Sequence, residues 1–274
     1  MNLISQNSPS SINGYITGRG QIFLINPRGF TFGENSLVTA GSLIASSLAV
    51  DRNAFLNGDS LDFYATDSSG PIVNKGRIYT RMGGNVALLA PAVVNEGNIV
   101  AIVGKVNLAS GNAMTLDFDG AGLVQIAVTE AVADGIDGFG EAILNSGRIR
   151  AGKVFMEAHV ATDIYSQAIN QQGAIRAGAA RVDDDGHIRL VGNGSYVTLA
   201  EHAITDADLV EIVEIVPQMP GDEIVVPVDD AALKDLLPVG TDNFQVDGLG
   251  VTATSLNTGV LQSAVHNSGG EAAE

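Results

Sequence analysis

The sequence has no cysteine and no tryptophan, and aromatic residues make up only 5% of its 274 positions. Without thiols, no disulfide framework and no Cys-based zinc site can form. A thiol-free chain also fits export through an oxidising compartment. Few large rings at 45% hydrophobic content point to thin, repeated aliphatic layers rather than one bulky interior. Basic residues are scarce: 14 Lys and Arg stand against 31 Asp and Glu, for a formal charge of −17. No Lys/Arg window is dense enough to hold a nucleic-acid backbone, so a nucleic-acid partner is not expected. No apolar run reaches the roughly 18 residues of a membrane span, and no membrane insertion is expected. Met1 to Ser11 lacks the basic and apolar regions of a secretory signal. Glycine is abundant, at 33 residues, but no G-X-Y period exists, which excludes a collagen-like helix.

What is present is a repeat. An apolar residue, Asn, one or two spacers, Gly, any residue and Ile recur at Val73–Ile78, Val94–Ile99 and Leu144–Ile149. With one extra residue the unit returns at Ile169–Ile175, and a partial copy begins at Val265. The corners of these units are Asn74 and Gly76, Asn95 and Gly97, Asn145 and Gly147, Asn170 and Gly173. Their spacing is about 21 to 25 residues, with one gap about two coils long. A second unit, Gly, spacer, Val or Ile, spacer, apolar, begins at Gly20, Gly84, Gly104, Gly122, Gly152 and Gly186. Each copy reads as a short strand after a turn residue.

Strands this short cannot bury a face alone, but stacked coils let each one pair with its equivalents above and below. The spacing therefore predicts an all-β fold, a right-handed parallel β-helix. Asn-x-Gly is expected to make tight corners through left-handed backbone angles, with Asn side chains stacked as a ladder between coils. About nine coils at roughly 4.8 Å each would give a rod on the order of 45 Å long. A sandwich or propeller would also use short strands, but not a corner repeated at coil length. Residues 1–204 are assigned to the β-helix, 205–245 to an acidic excursion with short helices, and 246–274 to resumed strand segments. Thr205–Asp208 reads as a capping box ahead of Leu209, Ile212, Val213 and Val216 at helical spacing. A second short helix is expected over 229–237 between Pro227 and Pro238.

The segment Gly20-Gln-Ile-Phe-Leu-Ile-Asn26-Pro27-Arg28-Gly29-Phe-Thr-Phe-Gly33 closely resembles a signature of the haemagglutination-activity domain. That domain opens the exoproteins of two-partner secretion systems, including filamentous haemagglutinins. Val38–Ser46 is similar to the family's next strand and corner, and the likeness runs from about Ile12 to Leu108. Arg28 stands where the family usually has Asn. The family's first coils and signal should precede Ile12, so the chain is expected to be a fragment with Met1 internal. The resemblance implies a secreted or cell-surface protein of a Gram-negative bacterium, recognised by an outer-membrane β-barrel transporter. It implies an adhesin whose further partner is a host-cell or bacterial surface receptor or glycan. Asn26, Pro27, Arg28, Gly29 and Gly33 are the candidate secretion-motif residues, chiefly as turn formers. Gly29→Val is expected to impair folding or secretion more than Asp184→Ala.

No cofactor, metal or catalytic centre is expected. The rival is a carbohydrate-active β-helix enzyme, for which Asp117, Asp119 and Asp183–Asp185 with His187 are the candidate carboxylates and base. It requires an acidic groove with basic residues opposite. Charge runs are more often solvated corners. His159, His187, His202 and His266 form no HExxH pair, and neither a P-loop nor a nucleophile elbow is present. A structural matrix protein is a third reading.

Overall fold

In the computed structural model, residues 1–4, 7–57, 60–119, 122–178, 186–207 and 209–215 are described. They build a parallel β-helix of three faces. One face stacks Asn2–Leu3, Gln21–Ile25, Ser42–Ser46 and Val86–Ala90, then the second halves of Asn98–Ser110 and Arg148–His159, then His187–Asn193 and Leu209–Ile215. A second face stacks Tyr15–Thr17, Leu37–Ala40, Arg77–Thr80, the first halves of the same two long strands, Ala174–Ala177 and Ile204–Asp206. These two faces share a 13-stranded sheet, because the long strands bend round the corner between them. The third face is a 7-stranded sheet from Ser10–Ile12 to Val197–Leu199.

Register makes the core. Leu43, Val86, Val106, Val154 and Ile188 are partners in one column, and Val38, Ile78, Ile99, Ile149 and Ile175 in another. All are at most 2% exposed. Because the side-chain period is two, any one-residue slip would turn a whole rung inside out.

The doubled gap in the repeat is not two coils. Asn95 and Asn145 are direct register partners, and the surplus chain leaves the rod as the hairpin Ala113–Asp119 and Gly122–Glu130. Another excursion carries Ala49–Val50, the helix Arg52–Asn57 and Leu61–Tyr64. Asp51 Oδ1 accepts the Asn53 amide at 2.6 Å, capping that helix. The two excursions pair into a 4-stranded antiparallel sheet. The sequence unit beginning at Gly122 belongs here and not to the rod.

That sheet lies over the outward side of the first face. Phe23, Ile25, Ile44, Ala87 and Leu89 form a second core with Leu48, Phe63, Met114 and Leu116. It explains a pattern in the chain. Val86–Ala90 has no polar alternation because it is covered on both sides. Arg148–His159, on a later rung without this second core, alternates along each of its two halves, and so does His187–Leu190 on the next.

The helix expected from Thr205 is not formed, and Asp208 of the expected capping box lies outside the described residues. Ile204–Asp206 and Leu209–Ile215 are strands that continue two faces of the rod. Leu209, Ile212 and Val213 give Leu209 to Ile215 a helical pattern, and Val210 and Ile212, on either side of Glu211, a short alternating one. The exposed edge of His187–Asn193 offers a ladder of backbone hydrogen bonds to the alternating one, and tertiary context overrides the local signal. The rest of the acidic excursion, the helix expected over 229–237 and residues 246–274 lie outside the described residues.

Glu214 occupies an inward position on that last strand, in register with Gly192 and buried. Burial pushes its carboxyl above the ordinary value, partly offset by a hydrogen bond from the Val197 amide at 3.4 Å. A carboxyl raised in the folded state favours folding when protonated. That contribution is full below the unfolded pKa and is lost as pH rises through the folded one. Relative to Glu214→Gln, the native protein should therefore lose thermal stability on going from pH 4 to 7. Parallel melting curves of the two proteins over that range would reveal an error here.

Candidate functional site: the Asn-Pro corner and the amide ladder

The Gly20–Gly33 segment places two strands, Gln21–Ile25 and Phe30–Phe32, on adjacent faces. Asn26–Gly29 turns the corner between them. The Gly29 amide donates to Asn26 O at 2.9 Å, and Asn26 Oδ1 accepts the Arg28 amide at 3.0 Å. Asn first, Pro second and Gly fourth is the composition that such a turn favours. Gly29 has φ +95°, a region closed to most side chains.

This corner is clamped by both neighbouring coils. On one side Asn26, 0% exposed, donates from Nδ2 to Ser8 O at 3.1 Å and Ser10 Oγ at 2.8 Å. On the other, the Gly70 amide donates to Pro27 O at 2.8 Å and the Phe30 amide to Pro71 O at 3.0 Å. A Cβ at Gly29 would fall on Pro71 O, and one at Gly70 on Arg28 O. A Cβ at Gly33 would collide with the Asn13 side chain. Arg28 joins the turn through its backbone amide, so this bond does not depend on its side chain.

The repeat corners form a second constellation. Asn74, Asn95 and Asn145 are each 0% exposed and in register. Asn74 Nδ2 donates to Asn95 Oδ1 at 2.7 Å, Asn95 Nδ2 to Asn145 Oδ1 at 2.6 Å, and Asn145 Nδ2 to Gln171 Oε1 at 2.7 Å. Gln171 Nε2 ends the run on Gly173 O at 3.0 Å. All the amide donors point one way along the rod, and no member is unsatisfied (a fully paired buried network). Asn170 is not a rung: it lies one position off and donates to Glu141 Oε1 at 3.0 Å. The extra residue in that copy of the repeat shifts the rung to Gln171, whose longer side chain makes up the reach.

The corner glycines serve close packing rather than left-handed geometry. Gly76, Gly97, Gly147 and Gly173 are not among the positive-φ residues. Each stacks on the previous corner, so that a Cβ at Gly97 would strike Gly76 O, one at Gly147 would strike Gly97 O, and one at Gly173 would strike Gly147 O.

Of the residues of the rival enzyme reading, Asp117 and His187 are the ones with described side chains, and they lie on different parts of the molecule. Asp117 is exposed on the excursion hairpin, where it accepts from Ser60 Oγ at 2.6 Å. Asp183–Asp185 and the Asp119 side chain lie outside the described residues. His187 sits on the rod beside Glu211, at 3.7 Å, while His159 contacts Glu157 at 3.1 Å. His202 is exposed, and His266 lies outside the described residues. Among the described residues, no group of three or more His, Asp or Glu is placed to hold a metal. No described helix is long and apolar enough to cross a membrane.

The model of the TPS secretion domain, the N-terminal domain of two-partner secretion exoproteins, matches residues 1–199. The chain belongs to this family. Its members are secreted proteins of Gram-negative bacteria. A heme/hemopexin-binding protein of Haemophilus influenzae is 26% identical over 163 residues, 57% of this chain and 17% of that protein. The chain thus spans about a sixth of the length of that relative. The crystal structure of the HMW1 secretion domain from the same species superposes with a TM-score of 0.51 at 24% identity. It covers 77% of this chain and 58% of the solved one, which supports the parallel β-helix.

Sequence reasoning missed Ser8, Ser10, Gly70, Pro71 and Gln171 as members of these corners. Gly70-Pro71 before Ile72-Val73-Asn74 was a findable signal, because Gly-Pro marks a turn just ahead of a repeat strand.

Proposed function

We propose that this domain is the export-competent portion of a filamentous haemagglutinin-like adhesin, handed to a dedicated outer-membrane β-barrel transporter and displayed at the cell surface or released. Membership of the secretion-domain family carries the reading. The corner at Asn26–Gly29 supports it physically. Its bonds to Ser8 and Ser10 on one side and Gly70–Pro71 on the other can be completed only as successive coils are laid down. A chain emerging in order would thus fold rung on rung, each exposed edge templating the next. Adhesion, or a ligand such as the heme/hemopexin bound by the relative, belongs to regions beyond the matched domain. A host or bacterial surface receptor or glycan is the expected target.

The test is reconstitution. The chain, supplied with a signal peptide and co-expressed with the two-partner transporter of its own locus, should appear outside the cell. Without the transporter it should remain in the periplasm. Equal release in both strains would overturn the proposal. Cleavage of a polysaccharide by the purified domain would favour the enzyme reading instead.

A further inference from the structure

Though the chain is acidic overall, several of its scarce basic residues gather on one part of the rod. On the second face of the rod, outward positions alternate with the inward isoleucines. Arg77, Asn98 and Arg148 occupy one outward column, and Tyr79, Val100, Arg150 and Arg176 the next. All four arginines are exposed. Lys153, also exposed, follows at the corner on the same strand as Arg148 and Arg150.

Arg150 and Arg176 are direct register partners on adjacent parallel strands, so their side chains leave the sheet about 4.8 Å apart. Like charges placed directly opposite one another destabilise a sheet. Arg176 has one carboxylate neighbour, Asp206 Oδ2 at 3.9 Å, and its side chain is 61% exposed. Among the described residues, Arg77, Arg148 and Arg150 enter no ion pair. Elsewhere on the rod Lys75 pairs with Glu96 at 3.2 Å and Arg189 with Glu211 at 3.1 Å, while Arg19 and Arg81 are exposed and, among the described residues, enter no ion pair.

We propose that this face binds an extended acidic polysaccharide carrying a carboxylate on each sugar, a polyuronate. Three features of the face fit that occupant. The surface is a flat sheet that runs along the rod, which suits a linear chain better than a compact ligand. The positive groups are guanidinium forks, which meet carboxylates through two parallel hydrogen bonds. Arg150 and Arg176 stand on adjacent rungs, about the length of one sugar ring apart, Arg77 lies two rungs before Arg148 across Asn98, and Tyr79 offers a ring for a sugar to pack on. Binding would also relieve the repulsion between Arg150 and Arg176. The inference is independent of the export route, since it concerns the folded domain.

Isothermal titration of the purified chain with oligogalacturonate at low ionic strength should show saturable binding that weakens with salt. The double variant Arg150→Gln/Arg176→Gln should reduce affinity by about tenfold or more. Arg189→Gln, on another face, should leave it unchanged. Circular dichroism melts report whether the double variant is folded, and Arg148→Gln alone should still weaken binding severalfold. Neutral dextran should not bind. Absence of binding, equal affinity in the double variant, or equal binding of duplex DNA of matched charge would each overturn the proposal.

Discussion

Gly29→Val should destabilise the domain by about 3 kcal/mol or more and remove it from the secreted fraction. Two separate costs add. A β-branched residue at φ +95° occupies a backbone region that costs on the order of 1–3 kcal/mol. The new side chain also collides with Pro71 O, and relieving such overpacking typically costs about 1–3 kcal/mol. The clash breaks the Phe30 amide bond to Pro71 O, the link by which the next coil docks. Gly29→Ala should fail in the same direction with a smaller magnitude. Asp117→Ala, at an exposed hairpin position, should stay within about 0.5 kcal/mol of the parent. Denaturant unfolding of the purified variants, beside their export, checks this. A Gly29→Val protein as stable as Asp117→Ala would show that the corner does not constrain the fold.

Asn95→Leu is the second large effect. Leucine matches asparagine closely in size, so packing changes little, but both hydrogen bonds of the central rung vanish. Asn74 Nδ2 loses its acceptor and Asn145 Oδ1 its donor, inside a core where neither can find water. Each orphaned group costs about 1–3 kcal/mol. The expected loss is about 2–5 kcal/mol, or about 5 to 15 °C in Tm for a domain of this size. Asn170→Leu, one residue off the ladder and bonded to a partly accessible Glu141, should cost about 1 kcal/mol or less. Thermal melts of both variants decide the matter. Equal losses would mean that the amide run is not a cooperative unit.

The spacing of Asn-x-Gly contained the coil, and the motif at Asn26–Gly33 contained the family. These signals are local: a turn needs its own residues, and a repeated rung repeats its pattern. Other features were not local. The rung at Gln171 depended on a one-residue insertion whose effect appears only when the chain is laid against Asn145. The reason for glycine at Gly76, Gly97, Gly147 and Gly173 is a neighbour one coil away. A single corner read alone suggests left-handed geometry. The strand Leu209–Ile215 was misread as a helix because its two apolar periods coincide, and only the waiting edge of His187–Asn193 selects between them.

That short aliphatic segments would stack at coil length, and that Asn26-Pro27-Arg28-Gly29 would turn a corner, was written into the chain, since both follow from periodicity and backbone preference. Where the surplus chain goes is settled by long-range packing. The segments around Arg52–Asn57 and Ala113–Glu130, far apart in sequence, pair through Leu61–Tyr64 and Ala113–Asp119 and cover the outward side of Phe23, Ile44 and Leu89. Apolar surface on both sides of one strand cannot state which distant segment will shield it, because hydrophobic burial has no direction. The positive face follows the same rule: Arg150 and Arg176 are 26 positions apart in the chain and become neighbours only through the register of two coils.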